Sequence, residues 1–406
     1  MLPLPLLAFA ALLLCGAAVA APQDPLDLEV GDPSRRHRTV QVTVDRVVDT
    51  ATGQPVLPDD LGQALRDARL VLVGERHTSR EAHRVQRRVI DELLRAGRPV
   101  MIGLEMFPYT EQASLDRWVA GDEPESRWLE TASWYEHWGY HFGYYREIFD
   151  VARARRLRIV ALNAPRSVIS AVGRKGLDGL TPDERRQLPD RIDIDSPEHM
   201  TLFKAYLGSG AAHGGSMPSE AWQRMLGAQA AWDATMAHHA VAALKSAGDP
   251  RTVMVVLAGS GHVAYGLGIE RQAGLAFDGP IASIIPVAVG GDGAGAVEVR
   301  ASYANYVWGV PAEPYEIYPS LGLSTRTGEG RLRVLSVEPD GCAGAAGVKA
   351  GDVLLAFDGT PVRDRAALSA LVAAKDWGDA ADLRIERDGD RQTVRVVFAR
   401  RFAGRR

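Results

Sequence analysis

At 406 residues the chain is long enough for two or three domains with sizeable cores, and its 46% hydrophobic and 24% charged content is ordinary for a globular protein. The net charge of -4 argues against a large nucleic-acid footprint, so nucleic acid is not an expected partner. With two cysteines, and one of them in the N-terminal apolar segment, a cysteine-based metal site is excluded.

From the start, Met1 to Ala21 carries no charged side chain, Leu6 to Leu14 is an apolar core, and Ala18-Val19-Ala20 is a small-x-small site. Residues 1–20 therefore look like a secretory signal peptide, the alternative being an uncleaved membrane anchor. Leu14 ahead of Cys15 is not the small residue a lipid-anchor site wants. Cleavage would leave Cys342 as the single thiol, with no intrachain disulfide. The expectation is an exported protein, periplasmic or cell-envelope associated.

Residues 21–59 form an N-terminal extension. Residues 22–38 are polar and Pro-containing and are expected to be poorly ordered. Residues 39–57 alternate and end in a turn at Thr52-Gly53, which suggests a hairpin at a sheet edge.

Four apolar runs follow, ending in Gly74-Glu75-Arg76-His77, Leu104-Glu105, Leu162-Asn163 and Gly259-Ser260-Gly261-His262. Each is too short and Val-rich for a helix and reads as a buried strand. A parallel α/β sheet places its ligands at the carboxyl ends of its strands, so Glu75, His77, Glu105 and His262 are expected in one cleft. The α/β region spans 60–310, with a mostly helical lobe at about 166–248, where Thr181-Pro182-Asp183-Glu184 opens a helix.

Thr78-Ser79-Arg80-Glu81 is a capping pattern for a helix from Ser79 to Ala96, and on it His83 and Gln86 share a face. His77, Glu105, His262 and His83, with Glu75, supply the nitrogen and oxygen donors that a divalent metal prefers. With a metal, Glu75, His77, Glu105 and His262 would be the catalytic set of a hydrolase. The plainer alternative is that the carboxylates pair with arginines or backbone N–H groups and the histidines are satisfied polar residues. On the helix from Ser219 to Ala247, Gln229 and Asp233 are one turn apart and are the polar residues that could reach the cleft.

Between Trp134 and Tyr145, nine of twelve residues are aromatic or His, in a chain only 7% aromatic. Such a stretch can stack on a flat ligand or offer Tyr and His to haem iron; the alternative is ordinary ring packing. A Pro-spaced linker covers 311–319, and 320–400 is a compact β-rich unit with a helix at Arg365 to Ala374.

Val73 to His77, Leu104 to Phe107, Trp134 to Tyr145, Leu162 to Arg166, Gln229 to Ala237 and Ala258 to Gly266 resemble, in order and spacing, the ChaN-like proteins of the Tiki and erythromycin esterase-like superfamily. That superfamily has a Gly-x-x-His strand end, a Glu after a second strand and a distant His, here Gly74 with His77, Glu105 and His262. The resemblance implies an α/β domain with a helical lobe, exported, binding haem through a Tyr at a homodimer interface in iron acquisition. On those terms the haem-binding candidates are Tyr140, beside His141, then Tyr144 and Tyr265. A divalent metal and a peptidase activity are the alternative.

The C-terminal unit resembles an HtrA-type PDZ domain. Ser320-Leu321-Gly322-Leu323 looks like a carboxylate-binding loop, and Ala343 to Val362 matches the central motif. The implied partner is a peptide or protein C-terminus, held by Leu321, Gly322, Leu323 and Leu368. The fold class expected is α/β, a mainly parallel sheet flanked by helices, plus a small β-rich PDZ domain.

Overall fold

The computed structural model describes residues 24–208, 218–290 and 295–400. The signal-peptide expectation, Cys15 included, falls outside the described residues. Among the described residues no helix is long and apolar enough to cross a membrane.

Ten strands belong to the first 311 residues: β1 (Thr39–Thr43), β2 (Val47–Asp49), β3 (Gln54–Val56), β4 (Leu70–Glu75), β5 (Val100–Pro108), β6 (Arg158–Asn163), β7 (Val253–Gly259), β8 (Ile281–Val289), β9 (Ala296–Arg300) and β10 (Tyr306–Pro311). Eight form one sheet in the order β3-β2-β10-β8-β4-β7-β5-β6. From β10 to β6 every pairing is parallel, while the β2–β3 hairpin caps one edge antiparallel. β1 pairs instead with β9 in a separate two-stranded ribbon.

Both faces of the sheet are covered, which is why the runs are apolar throughout rather than alternating. Side chains alternate along β4: Val71 and Val73 join the core under the Arg80–Arg95 helix and the aromatic segment, whereas Leu70 and Leu72 join the core under the Ser219–Lys245 helix. Ser79 caps the first helix by accepting the Ala82 N–H at 3.1 Å.

Two segments are better held than their composition suggests. In residues 24–38, Leu28 and Val30 are buried, and the Tyr265 hydroxyl accepts from Leu28 N–H and donates to the Pro25 carbonyl. In the Pro-rich connector, Tyr318 stacks on His141 at 3.7 Å, and the Ile317 carbonyl accepts from the Trp377 indole at 2.9 Å. Long-range partners, invisible to local composition, decide both cases.

The C-terminal unit is a sheet of β11 (Leu323–Gly328), β12 (Arg331–Val337), β13 (Val353–Phe357), β14 (Thr360–Pro361), β15 (Ala380–Arg387) and β16 (Asp390–Val397), with the Arg365–Ala373 helix packed against it. It has its own core, with Leu332, Phe357, Leu383, Ile385 and Phe398 fully buried. Asp364 caps the helix on Ala367 N–H at 2.8 Å. β11 is an edge strand, paired only with β12.

Candidate functional site

Glu75 ends β4 and stands in register with Gly259, the last residue of β7. On the far side of β7, β5 leaves its regular pairing after Leu104, so that Glu105 sits in an irregular stretch before Pro108 pairs with Asn163. Asn163 fixes that stretch by donating to the Glu105 carbonyl at 2.7 Å. Three neighbouring strands thus present Glu75, Glu105 and the Gly259–His262 turn at one end of the sheet.

Two buried carboxylates organise the histidines. Glu75 accepts from His77 Nδ1–H at 2.8 Å, Tyr145 O–H at 2.7 Å, Gln86 Nε2 at 2.7 Å and His83 Nδ1 at 3.2 Å. Burial alone would raise its pKa, yet His83 and His77 hold the carboxyl well below the usual range. Asp233, on the Ser219–Lys245 helix, accepts from His262 Nδ1–H at 2.5 Å, and Gln229 Nε2 lies 2.9 Å from the same nitrogen.

Glu105 lies between the two histidines. Its Oε1 is 3.4 Å from His262 Nε2 and its Oε2 accepts the Gly259 N–H at 2.7 Å. A Cβ placed on Gly259 would stand 3.4 Å from His77 Nε2 and 3.7 Å from Glu105 Oε2, so glycine leaves these groups room to meet. Against the cost of burial, Glu105 and Asp233 push His262 up to about 10. Burial opposes protonation of His77 as well, but Glu75 and Glu105 raise it.

The structure therefore brings Glu75, His77, Glu105 and His262 together. His83 lies behind them, with Nδ1 on Gln86 and Glu75 and Nε2 on the His77 carbonyl at 3.2 Å. Among the described residues, no three His, Cys, Asp or Glu side chains are grouped to hold a metal ion; the same donors are paired off as ion pairs. A cleft of about 600 Å³ opens beside His77 and His262, bordered by Arg76, His199, Phe203 and Tyr303.

The aromatic segment splits by role. Trp134 and Phe142 are buried against Trp128 and Phe149, as ring packing. Tyr140 is set apart, its ring 4.9 Å from His77. His141 takes the Gly143 N–H on Nδ1 and reaches the Ala373 carbonyl with Nε2, and burial pushes its pKa down to about 4. Tyr144 is buried between His83 and Tyr318. Tyr265 lies in the other core, against Tyr303.

Three residues of the site carry little signal in the chain. Tyr145 ends the aromatic run and is distinguished only by its bond to Glu75. His199 Nε2 lies 3.7 Å from Asp233 Oδ2, and nothing in the local pattern of its helix marks it for the cleft. Tyr303 borders the cleft from beyond β9, hydrogen-bonded to the Tyr206 hydroxyl.

Beyond the cleft, Leu321, Gly322, Leu323 and Leu368 border a second groove of about 530 Å³ between β11 and the Arg365–Ala373 helix. The loop is held by its carbonyls, Leu321 accepting from Ala343 N–H and Gly322 from Glu338 N–H. Gly322 has a φ of +68°, a conformation that favours glycine.

With the geometry in place, comparison with known proteins assigns the architecture. The family model "Haem-binding uptake, Tiki superfamily, ChaN" matches residues 61–272, just over half of the chain. The chain belongs to the ChaN family. A solved structure of ChaN of Campylobacter jejuni with cofacial haem is 18% identical, with a TM-score of 0.51 over 64% of this chain and 95% of that one; it shows the shared fold. A PDZ model matches residues 319–397.

The curated relatives match in part only. "Probable periplasmic serine endoprotease DegP-like" of Halomonas elongata is 32% identical over 115 residues, 28% of this chain and 24% of that protein. The protein of that name from Rhizobium meliloti is 36% identical over 120 residues, 29% of this chain and 23% of its own length. The chain thus spans about a quarter of these relatives. The ChaN-family match encloses Glu75, His77, Glu105, Tyr140 and His262, and the PDZ match encloses the groove loop.

Proposed function

We propose that this is an exported haem- or iron-binding protein of the ChaN family, serving haem or iron acquisition in the periplasm or cell envelope, whose PDZ domain docks a peptide or protein C-terminus. The observation that carries the reading is the cleft at the strand ends of the ChaN-type domain. At about 600 Å³ it is of a size for a cofactor, and it joins apolar walls such as Phe203 and Val287 to a cation, Arg76, and a histidine, His77. Haem needs an apolar slot, an axial donor and a cation for its carboxylates. His77 is the donor at the edge of this cleft; Tyr140, which borders the neighbouring groove with its ring 4.9 Å from that of His77, is the first tyrosine candidate, and Tyr144 and Tyr265, each buried among other rings, are second choices. Bound haem would supply the redox-active iron; the protein's part is to hold it and exclude water.

A second reading rests on a different observation. His77 and His262 are each oriented through Nδ1 by a buried carboxylate, leaving His262 Nε2 3.4 Å from Glu105 and His77 Nε2 beside Gly259, next to Glu105. Metal-binding histidines are commonly fixed in this way. A divalent-metal hydrolase, with the PDZ domain presenting a peptide, would use His77, His262 and Glu105 as ligands or acid–base groups.

One experiment separates the readings. The purified protein is titrated with ferric haem by absorbance and, in parallel, assayed for peptide cleavage with added Zn2+ or Mn2+. The first reading expects a Soret shift that changes in Tyr140→Phe. The second expects cation-dependent cleavage lost in Glu105→Gln. No Soret shift on adding haem removes the leading reading.

A further inference from the structure

Residues 138–141 face two places at once. Trp138 packs edge-on against the His77 ring at 4.7 Å. Tyr140 touches His77 on one side and borders the interdomain groove on the other. Gly139 lies against the Arg365 guanidinium, close enough that a Cβ there would stand 3.4 Å from its central carbon. His141 reaches the Ala373 carbonyl at the end of the same helix that Arg365 begins.

The groove is therefore not a property of the C-terminal unit alone. β11 and the Arg365–Ala373 helix form one side, and Tyr135, Tyr140 and His141 of the α/β domain form the other. The open edge of β11 offers ladder groups to an incoming extended chain.

Charge along the groove is unequal. Arg365 is partly buried and, among the described residues, makes no ion pair; burial and the charge of Arg166 both work against its own charge. A half-buried, unpaired guanidinium favours an anionic ligand strongly, because a carboxylate can take two of its N–H groups. The groove's carboxylates, Glu316 bonded to Ser320 and Glu338 with Oε2 beside Gly322, both stand at the loop, where an incoming chain end has only backbone N–H groups to hold it. That leaves Arg365 as the groove's attraction for anions.

We propose that this groove is a composite peptide site, walled by both domains, and that its occupant is a chain end carrying an acidic side chain held by Arg365 upstream of the free carboxylate. The proposal rests on the docking role of the PDZ domain given above. The nine-residue helix rises about 13 Å at 1.5 Å per residue, so an extended peptide places the acidic side chain within about four residues of its end. Tyr140 then contacts both the peptide and His77, so that occupancy of the groove is felt at the strand-end cleft.

The test uses the full chain and fluorescence anisotropy with a labelled peptide, Gly-Trp-Glu-Val-Val, as free acid, as amide, and with Gln in place of Glu. The Glu peptide is expected to bind ~10-fold more tightly than its Gln analogue, the scale of one charge-assisted contact. That ratio falls to about 1 in Arg365→Gln and is largely kept in Arg365→Lys, which guards against a folding artefact. Tyr140→Ala, in the other domain, weakens the free acid several-fold. Equal binding of the Glu and Gln peptides, or wild-type affinity in Tyr140→Ala, overturns the composite site while leaving docking intact. Equal binding of acid and amide, or no binding at all, overturns the docking role with it.

Discussion

A single aspartate shows how much one side chain carries. Asp233 is fully buried, accepts from His262 at 2.5 Å and lies 3.7 Å from His199. Breaking a buried, hydrogen-bonded charge pair by removing one partner typically costs about 3–5 kcal/mol. Asp233→Asn keeps the shape and removes the charge, so a loss of about 3 kcal/mol is expected in urea unfolding near neutral pH. His262 is raised to about 10 in the folded state, so its contribution is complete below its unfolded pKa and is lost as pH rises through about 10. Glu105 remains in the variant, so that alkaline dependence should shrink and not vanish, and NMR titration should show His262 moving part of the way toward ordinary values; an unmoved titration would mean that Glu105 alone sets it. Asp233 and Gln229 were visible in the sequence as polar residues one turn apart on an apolar helix. His199 was not, since nothing local marks it and its role comes from a contact across the fold.

At the level of the strand, glycine makes the cleft possible. β7 ends in Gly259, and a Cβ there would come within 3.0 Å of the His77 ring, tighter than ordinary contact. Gly259→Ala should therefore displace His77 by a few tenths of an ångström and, on the proposed haem-binding reading, weaken haem binding several-fold, while Tm changes by only a few degrees. Unchanged haem affinity alongside a large fall in Tm would show that the glycine serves packing and not the cleft. The buried parallel strands were legible because each is an unbroken Val, Leu or Ile run of strand length ending in polar residues. The insertion of β7 between β4 and β5 was not legible, because pairing order depends on crossovers that local pattern does not encode. The irregular end of β5, which aims Glu105, was hidden for a similar reason: the apolar run reads as ending at Leu104, whereas the strand continues to Pro108 across a register shift.

Across the whole molecule, the two domains meet at a histidine that must stay neutral. His141 is stacked on Tyr318 and donates to Ala373, and burial lowers it to about 4. Its folded pKa lies below its unfolded one, so its contact is at full strength above about pH 6.5 and weakens as pH falls toward 4. Proteolysis within residues 311–319 should accelerate over that window in the wild type, and the acceleration should be absent from His141→Gln; matching profiles would place the acid-sensitive contact elsewhere. The sheet itself carries a different consequence, one of timing. β1 pairs with β9, Val47 on β2 pairs with Trp308 on β10, and Pro25 and Leu28 are gripped by Tyr265. The segments synthesised first therefore find their partners only when nearly the last residues of the α/β domain have been made. Until then the edge of β8 and the apolar Leu28 and Val30 stand unclaimed, exposed to proteases and to one another. A nascent chain cut short before Tyr306 cannot close its sheet, and in this way the fold proofreads its own length.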